Sequence, residues 1–259
     1  MTTRATEATD AAGSARASGA ASPSAGSRMR SATASARTSI RNVVSDPGRP
    51  GSLSHRARTK RWAELLRRFP TLSDMRVLDL GGVPEAWRLV PVRPAQVVTV
   101  NLDPKTLSAD EPGVTAVVGD ACALPALLAK ERFDLVYSNS LLEHVGGHAN
   151  RLRLAETVHT MSDQHWIQTP YRYFPVEPHW LFPGFQFLPL RARAEVSIRW
   201  PFGHTRSTGF GAAVDDAAWV ELLDFTGMRR CFPHSEIWPE RIAGLPKSLV
   251  AVSTAHPGN

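Results

Sequence analysis

The sequence of 259 residues predicts an α/β protein whose mostly parallel, doubly wound sheet carries helices on both faces. Short apolar runs alternate with helical or irregular segments from residue 75 to about residue 170, which is typical of parallel sheets. The runs are nearly continuously apolar, as in strands buried on both faces. Two further apolar runs near the end bring the predicted sheet to seven strands.

The predicted strands share one pattern, an apolar run bounded by polar or turn residues. The first five are at 75–80, 97–100, 114–118, 133–137 and 165–168, and the last two are at 231–237 and 249–253. The first begins the alternation and ends at Asp79, Leu80, Gly81 and Gly82, where backbone without side chains lets a ligand approach closely.

The helices follow from periodicity and from residues that start or stop a helix. Trp62, Leu65 and Phe69 recur at helical spacing and Pro70 closes the pattern, so residues 54–69 are predicted to be a helix. The other expected helical segments are 84–89 (helical or irregular), 141–145, 150–161 and 215–225, the last with Asp215 or Asp216 as its N-cap and Gly227 just past its end.

Composition divides the chain into a tail and one domain. Residues 1–52 hold Ala, Ser, Thr, Arg and Gly with almost no large apolar side chains, so a disordered tail is expected there and a folded domain over 53–259. Residues 1–60 contain ten Lys and Arg but three Asp and Glu, which leaves 20 basic and 21 acidic residues in the rest. The net charge of +6 therefore belongs to the tail, and a nucleic-acid partner is not favoured.

Cysteine usage and hydropathy indicate the cellular compartment in which the protein is expected. Cys122 and Cys231 form neither a metal-binding spacing nor a disulfide framework, and two free thiols in a reducing, cytoplasmic setting are expected, although one bridge is feasible. No apolar run approaches the roughly 20 residues that span a bilayer, so no transmembrane segment is predicted.

Polar residues follow four consecutive predicted strands. They are Asp79, Gly81 and Gly82 after the first, Asn101, Leu102 and Asp103 after the second, Asp120 and Ala121 after the third, and Ser138 and Asn139 after the fourth. Because parallel strands end at the same edge of a sheet, these residues are expected to line one ligand-binding crevice. A single Asp in such a place often only caps the next helix, but four such strand ends favour a shared ligand.

The motifs VLDLGG (77–82), VNLDP (100–104), GDACALP (119–125) and FDLVYSNSLLEHV (133–145) resemble the class I S-adenosylmethionine-dependent methyltransferases, which have a Rossmann-like fold. The sequence especially resembles the small-molecule methyltransferases that have a Leu-Glu-His signature after the fourth strand. It covers about 75–170 well and 211–253 in pattern only. It implies S-adenosylmethionine as cofactor and a small-molecule methyl acceptor.

The resemblance also implies roles for the strand-end residues. Asp79 with Gly81 and Gly82 would face the methionine part of the cofactor, and the residue ending the second strand would bind the ribose. Asp120 would accept a hydrogen bond from the adenine amino group beside Ala121. Ser138 and Asn139 would line the path to the methyl group.

Two departures from the family pattern matter. The glycine loop lacks the usual third glycine and runs through Val83 and Pro84 to Trp87. Asn101 occupies the position at which the family usually has an acid, and Asp103, two residues on, is a substitute candidate for the ribose. An amide still bonds to hydroxyls, but without the strength of a charged acceptor.

The segment 169–190, inside a predicted lid insertion at about 171–210, combines aromatic residues, prolines and a few polar groups, as small-molecule pockets do. Most of its aromatics are expected to be core. If the acceptor is a hydroxyl, a base assists the transfer: His179 is the first candidate, with Glu177 orienting it, and His144 is the second. No cluster with metal-ligand spacing is visible, so metal-independent transfer is expected.

Three alternatives remain open at this stage. A catalytically inactive binding or scaffold protein with a methyltransferase fold is suggested by Asn101 and the altered glycine loop. Nucleic-acid modification, with the Arg-rich tail as a tether, lacks the Asn/Asp-Pro-Pro-aromatic motif after the fourth strand. A nicotinamide site would need the G-x-G-x-x-G pattern, which the first loop does not supply.

Overall fold

A computed structural model of the chain describes residues 53–108, 110–203 and 207–254. The predicted disordered tail, 1–52, lies outside the described residues. The strands are β1 (Arg76–Leu80), β2 (Gln96–Asn101), β3 (Val114–Val118), β4 (Leu135–Asn139), β5 (His165–Pro170), β6 (Val176–Glu177), β7 (Phe182–Pro183), β8 (Glu236–Ile242) and β9 (Leu245–Ser253). The α-helices are α1 (Leu53–Arg68), α2 (Gly147–Met161), α3 (Leu190–Arg199), α4 (Phe210–Trp219) and α5 (Phe225–Cys231).

Seven strands form one sheet in the order β3-β2-β1-β4-β5-β9-β8. The first five are all parallel, and β9 runs antiparallel to both of its neighbours. The predicted mostly parallel seven-stranded α/β sheet is therefore confirmed. The parallel register brings the carboxyl ends of β1 to β4 to one edge.

Both faces of the sheet are covered, which explains why its strands are nearly continuous apolar runs. Alternate residues of β1 point to opposite faces: Val77 packs in a cluster with Trp62, Leu65 and Phe69 of α1 and the segment after it. Leu78 and Leu80 belong to the cluster on the other face. That second cluster includes Leu154 and Val158 of α2 and Met228 of α5. Burial of this kind stabilises by about 25 cal/mol per Å² of apolar surface.

The predicted helix at 215–225 is wrong, because the chain breaks there into α4 and α5. Neither Asp215 nor Asp216 begins a helix. Asp224 is the N-cap of α5, and its side chain accepts a hydrogen bond of 2.8 Å from the amide of Gly227. Gly227 thus lies in the first turn of α5 rather than past the end of a helix.

The start of the sixth strand was also predicted wrongly, at residue 231. Cys231 is the last residue of α5, and β8 begins at Glu236. The apolar pair of Cys231 and Phe232 is buried because it faces the sheet from a helix end. Burial without periodicity over so few residues does not distinguish a helix end from a strand.

The segment 141–145, predicted to be helical, is a turn. Ser140 before it adopts a φ of 58°, and Gly146 and Gly147 after it have φ values of 74° and 73°. Such left-handed conformations on both sides leave too few residues for a helix. The turn places His144 beside the edge of the sheet, whereas the predicted helix would carry it on its first turn.

The segment 171–210, predicted as a lid insertion, contains the β6-β7 hairpin and α3. Its buried aromatics are core, as expected: Trp180 and Phe185 stack with ring centroids 4.2 Å apart and pack against Ala217, Val220 and Leu222. Within the described residues, no helix is both long enough and apolar enough to cross a bilayer. Cys122 and Cys231 are both free thiols.

Candidate functional site

Two cavities open at the edge where β1 to β4 end, and Gly81 lines both. The larger, about 380 Å³, is bordered by the ends of β2 and β3 and by the turn after β4. The smaller, about 170 Å³, is bordered by Asp79, the glycine turn and α1. An extended ligand could lie across Gly81 with one end in each cavity. We name the larger one the adenosine-side cavity, after the part of the cofactor that the family resemblance would place there, and the smaller one the Asp79 cavity.

Asp79 is a buried carboxylate at the end of β1, with 3% of its surface exposed. The indole Nε1 of Trp87 donates a hydrogen bond of 2.8 Å to its Oδ2. Burial outweighs that bond and raises the pKa of Asp79 to about 7. A positively charged ligand group in the Asp79 cavity would reverse this effect by favouring the ionised carboxylate.

The two glycines of the turn are required by their surroundings. Gly81 has a φ of 81°, which L residues rarely adopt. A Cβ on Gly82 would lie 1.8 Å from the Oδ2 of Asp79. The Asp79 carboxylate itself therefore lies directly against the bare backbone of Gly82, whereas the sequence predicted the close approach of a ligand to these glycines.

Asn101 holds this turn in place. Its Nδ2 donates hydrogen bonds of 3.1 Å to the carbonyl oxygens of both Gly81 and Gly82, and its Oδ1 accepts one of 3.0 Å from the amide of Asp103. A carboxylate has no proton to donate to these carbonyls. These hydrogen bonds therefore explain why an amide can stand where the family usually has an acid.

An aromatic group surrounds the Asp79 carboxylate. Trp62, Trp87 and Tyr137 contact one another with ring centroids 5.5 to 6.2 Å apart. Burial raises the pKa of Tyr137 to about 12, so its hydroxyl stays protonated. Arg58 and Arg61 of α1 complete the lining of the Asp79 cavity.

The end of β3 borders the adenosine-side cavity. Asp120 is exposed, and its Oδ1 accepts a hydrogen bond of 2.8 Å from the amide of Cys122. Ala121 lies beside it and is buried. Leu102, 66% exposed, forms another part of the lining. Asp103 is exposed, and its carboxylate accepts from the amide of Lys105.

Ser138 and Asn139, at the end of β4, make different contacts. Ser138 is fully buried, and its hydroxyl donates 2.8 Å to the carbonyl oxygen of Leu80. Asn139 lines the Asp79 cavity, and its Oδ1 accepts from Arg61. Arg61 also donates 2.9 Å to Glu240, a buried carboxylate of β8. The end of β4 is thereby tied to α1.

The three candidate catalytic residues form a continuous chain. The Oε1 of Glu177 lies 2.6 Å from the Nδ1 of His179, and the Nε2 of His179 lies 3.2 Å from the Nε2 of His144. The other oxygen of Glu177 accepts from the amides of His179 and Trp180 at 2.8 Å. Burial lowers the pKa of His179, but the Glu177 bond and charge prevail and raise it. His144 lines the adenosine-side cavity.

Glu143 lies next to this chain and is fully buried. Its Oε2 accepts a hydrogen bond of 2.8 Å from Thr169, and its Oε1 lies 3.9 Å from the Nε2 of His144. Burial raises the pKa of Glu143. One atom each of Glu143, His144 and His179 lie within 4.8 Å of one another, so among the described residues these three could hold a metal ion.

Sequence reasoning missed one wall of the site. That wall consists of Arg58, Arg61, Trp62, Trp87 and Tyr137. Trp62 had been assigned to the core by its helical spacing, which is correct but incomplete, because its ring also faces the cavity. The only available signal for Trp87 was that a large aromatic replaces the small residues expected of a cofactor loop.

Comparison with known proteins finds a family-model match over part of the chain and similarities of fold. Residues 78–162 match the family model described as a methyltransferase domain. No curated protein matches the sequence significantly. Similar solved structures include an S-adenosylmethionine-dependent methyltransferase from Mesorhizobium loti (18% identity, 74% of this chain and 96% of that one, TM-score 0.47) and a possible exported protein from Bordetella parapertussis (17% identity, 85% and 79%, TM-score 0.50).

Magnesium protoporphyrin IX methyltransferase from Synechocystis PCC 6803 is also similar, with 10% identity over 86% of this chain and 95% of that one and a TM-score of 0.47. At such identities these similarities concern the fold only. The family match begins within β1 and ends just after α2, and so includes the ends of β1 to β4 that border both cavities. Residues 78–162, about a third of the chain, are thus similar to a methyltransferase domain.

Proposed function

We propose that this protein is an S-adenosylmethionine-dependent methyltransferase that transfers a methyl group to a small-molecule acceptor. The observation that carries the proposal is that two cavities share Gly81 in their linings, with the Asp79 carboxylate in one and the Asp120 carboxylate in the other. The cofactor is an extended molecule whose two ends differ in charge and shape, and the two cavities differ in the same sense.

The Asp79 cavity suits the methionine end of the cofactor. Asp79 would accept the ammonium group, and Arg58, which among the described residues is in no ion pair with a carboxylate, would attract the carboxylate group. Arg61 is already bonded to Asn139 and Glu240. One acidic and one basic side chain in a small, aromatic-walled space match a zwitterionic ligand.

The adenosine-side cavity suits the rest of the cofactor. Apolar groups such as Leu102 and Ala121 would contact the adenine faces, and the exposed carboxylate of Asp120 would accept from its amino group. The side-chain NH₂ of Asn101 already donates to the glycine turn, so other groups would form the hydrogen bonds to the ribose. The departures that suggested an inactive scaffold now have structural roles: Asn101 supports the turn and Trp87 bonds to Asp79.

The transfer itself needs alignment more than chemistry from the protein. A lone pair of the acceptor attacks the methyl carbon, the carbon–sulfur bond breaks, and its electron pair stays on sulfur as the thioether product forms. The proton released by the acceptor would pass to the His144–His179 pair. The Glu177 carboxylate would stabilise the imidazolium that results.

Calorimetric titration of the full chain with S-adenosylhomocysteine tests the proposal, with NADH as a control ligand. We expect saturable binding of the first and none of the second. Asp120→Asn should weaken the binding at least tenfold, because an amide presents its oxygen or its NH₂ group but not a charged acceptor. Asp110→Asn replaces an exposed acid elsewhere on the surface and should leave it unchanged.

Two results would contradict the proposal. A folded protein that binds no S-adenosylhomocysteine would return the scaffold alternative to first place. Equal affinity in the Asp120→Asn and Asp110→Asn proteins would show that the ligand does not lie in the adenosine-side cavity.

A further inference from the structure

A third cavity, about 290 Å³ in volume, lies between the 171–200 segment and the chain linking α4 to α5. Its apolar walls are buried side chains from both sides, Trp180, Phe185, Val220 and Leu222. Charged side chains also form part of its lining. We name it the arginine cavity, because three of its lining residues are Arg151, Arg172 and Arg193.

Two of the charges in the arginine cavity are balanced by close partners. Arg151 donates to the carboxylate and the carbonyl oxygen of Glu221 and so neutralises that acid. Glu177 bonds with both oxygens to His179 and to the amides of His179 and Trp180. Neither acid forms an ion pair with a second arginine among the described residues.

Arg172 and Arg193 remain without an acidic partner among the described residues. Arg193 donates 3.0 Å to the carbonyl oxygen of Ala217, but its Nε is buried without a hydrogen-bond partner. Burial and the charge of Arg172 lower the pKa of Arg193, and the more weakly acting charges of Glu177 and Glu221 do not offset them. Two cations that repel each other in one cavity raise the local potential and so attract an anion.

A polar acceptor accompanies the two cations. The Nε2 of Gln186 donates to the carbonyl oxygens of Arg172 and Phe174 at 2.9 and 2.8 Å, which fixes the orientation of the amide. Its Oε1 is buried and has no hydrogen-bond partner. A ligand in this cavity would therefore gain by carrying both an anionic group and a donor.

We propose that the arginine cavity is an anion-binding subsite that holds a carboxylate or phosphate group of the methyl acceptor. This inference rests on the proposed methyltransferase function. Glu177 lines the arginine cavity and holds His179, which contacts His144 in the adenosine-side cavity. The anchoring group and the cofactor thus lie at opposite ends of one residue chain, and the reacting group of the acceptor would lie near the two histidines.

The test titrates the full chain with inorganic phosphate and with acetate in a low-salt buffer, in the presence and absence of S-adenosylhomocysteine. We expect binding of at least one anion to the unaltered protein. Arg172→Gln and Arg193→Gln should each weaken it at least tenfold. Arg191→Gln changes an exposed arginine on the same helix as Arg193 and should leave it unchanged. The preferred anion distinguishes a phosphorylated from a carboxylated acceptor.

The readouts separate this inference from the proposed function. S-adenosylhomocysteine affinity should be the same in all three variants, because none of the arginines lines either cofactor cavity. Anion binding without S-adenosylhomocysteine binding would keep the subsite and refute the methyltransferase proposal. Absence of anion binding in the unaltered protein, or equal binding in Arg172→Gln, would overturn the subsite. Arg172 is exposed, so this variant is expected to fold even if Arg193→Gln does not.

Discussion

The indole of Trp87 donates a hydrogen bond of 2.8 Å to the carboxylate of Asp79, eight residues earlier in the chain. The bond ties the 3₁₀ segment Pro84–Leu89 to the end of β1. It also gives the buried carboxylate a partner that is neutral, so burial still dominates its protonation. An ionised carboxylate buried in this way costs stability unless a cationic group comes to lie beside it.

Asp79→Asn tests that cost. The unfolded carboxyl titrates near 3.8 and the folded one near 7, so the folded protein binds more protons between these values. The free energy of unfolding should therefore fall as pH rises from about 4 to about 7, then level off, by up to about 4 kcal/mol. The variant should flatten this slope and be more stable at pH 8. Chemical denaturation across pH measures both effects.

The same variant should bind S-adenosylhomocysteine at least tenfold more weakly, because the ammonium group would lose a charged acceptor. Asp110→Asn serves as the control for stability and affinity. A variant with an unchanged pH slope would show that Asp79 does not titrate near neutrality.

Gly82→Ala should damage the site, since the new Cβ would overlap the Asp79 carboxylate at 1.8 Å. We expect a loss of about 1–3 kcal/mol in the free energy of unfolding and loss of S-adenosylhomocysteine binding. Gly211→Ala, within α4 and with open space around it, should instead stabilise by about 0.5–1 kcal/mol. Equal effects of the two substitutions in thermal unfolding would refute the assigned role of Gly82.

Asn101→Asp should destabilise the glycine turn more than Asn101→Ala does. The aspartate removes two donors and sets a charge against the carbonyl oxygens of Gly81 and Gly82, for which about 1–3 kcal/mol is expected. The alanine only removes the bonds. Urea denaturation ranks the three proteins. Tighter S-adenosylhomocysteine binding by Asn101→Asp would show instead that this position contacts the ribose.

Arg61→Met should lower the free energy of unfolding by about 3–5 kcal/mol, because it leaves the buried Glu240 without its cationic partner. The double variant with Glu240→Gln should recover much of that loss. Arg56→Met, at an exposed position of the same helix, is the control. Additive effects of the two substitutions in the double variant would contradict a coupled pair.

Chelation should leave S-adenosylhomocysteine binding and the melting temperature unchanged. Glu143, His144 and His179 are spaced so that they could hold an ion. A hydrogen bond between the two Nε2 atoms, 3.2 Å apart, nevertheless needs only one proton and no metal ion, and the proposed cofactor contacts lie elsewhere. A lower melting temperature after dialysis against EDTA, restored by Zn²⁺, would show that a metal ion belongs to this site.

The sheet could be predicted because its signals are local. Each strand of the parallel part is an apolar run, and residues such as Asp79 and Asn101 mark where two of them end. The break between α4 and α5 could not be predicted, because the apolar residues from Val220 to Phe225 fit a continuing helix equally well. Only the tertiary contacts of Val220 and Leu222 with the lid segment decide it.

The site, like the sheet, could be predicted where its contacts are local in sequence. Glu177 and His179 stand two residues apart, so their contact is a local event that the sequence suggests. The approach of His179 to His144 and the meeting of Arg172 with Arg193 join distant segments. Pairings of that kind depend on how the 171–200 segment folds over the sheet, for which periodicity carries no information.

Helix α1 has a consequence for how this protein should be divided. It lies before the matched family segment, which begins at residue 78, yet Arg58, Arg61 and Trp62 form a wall of the Asp79 cavity. A fragment cut at the family boundary would keep the glycine turn but lose the first two residues of β1 and leave the Asp79 cavity open to water. The walls of this cavity therefore require α1, which lies upstream of the segment that sequence comparison recognises.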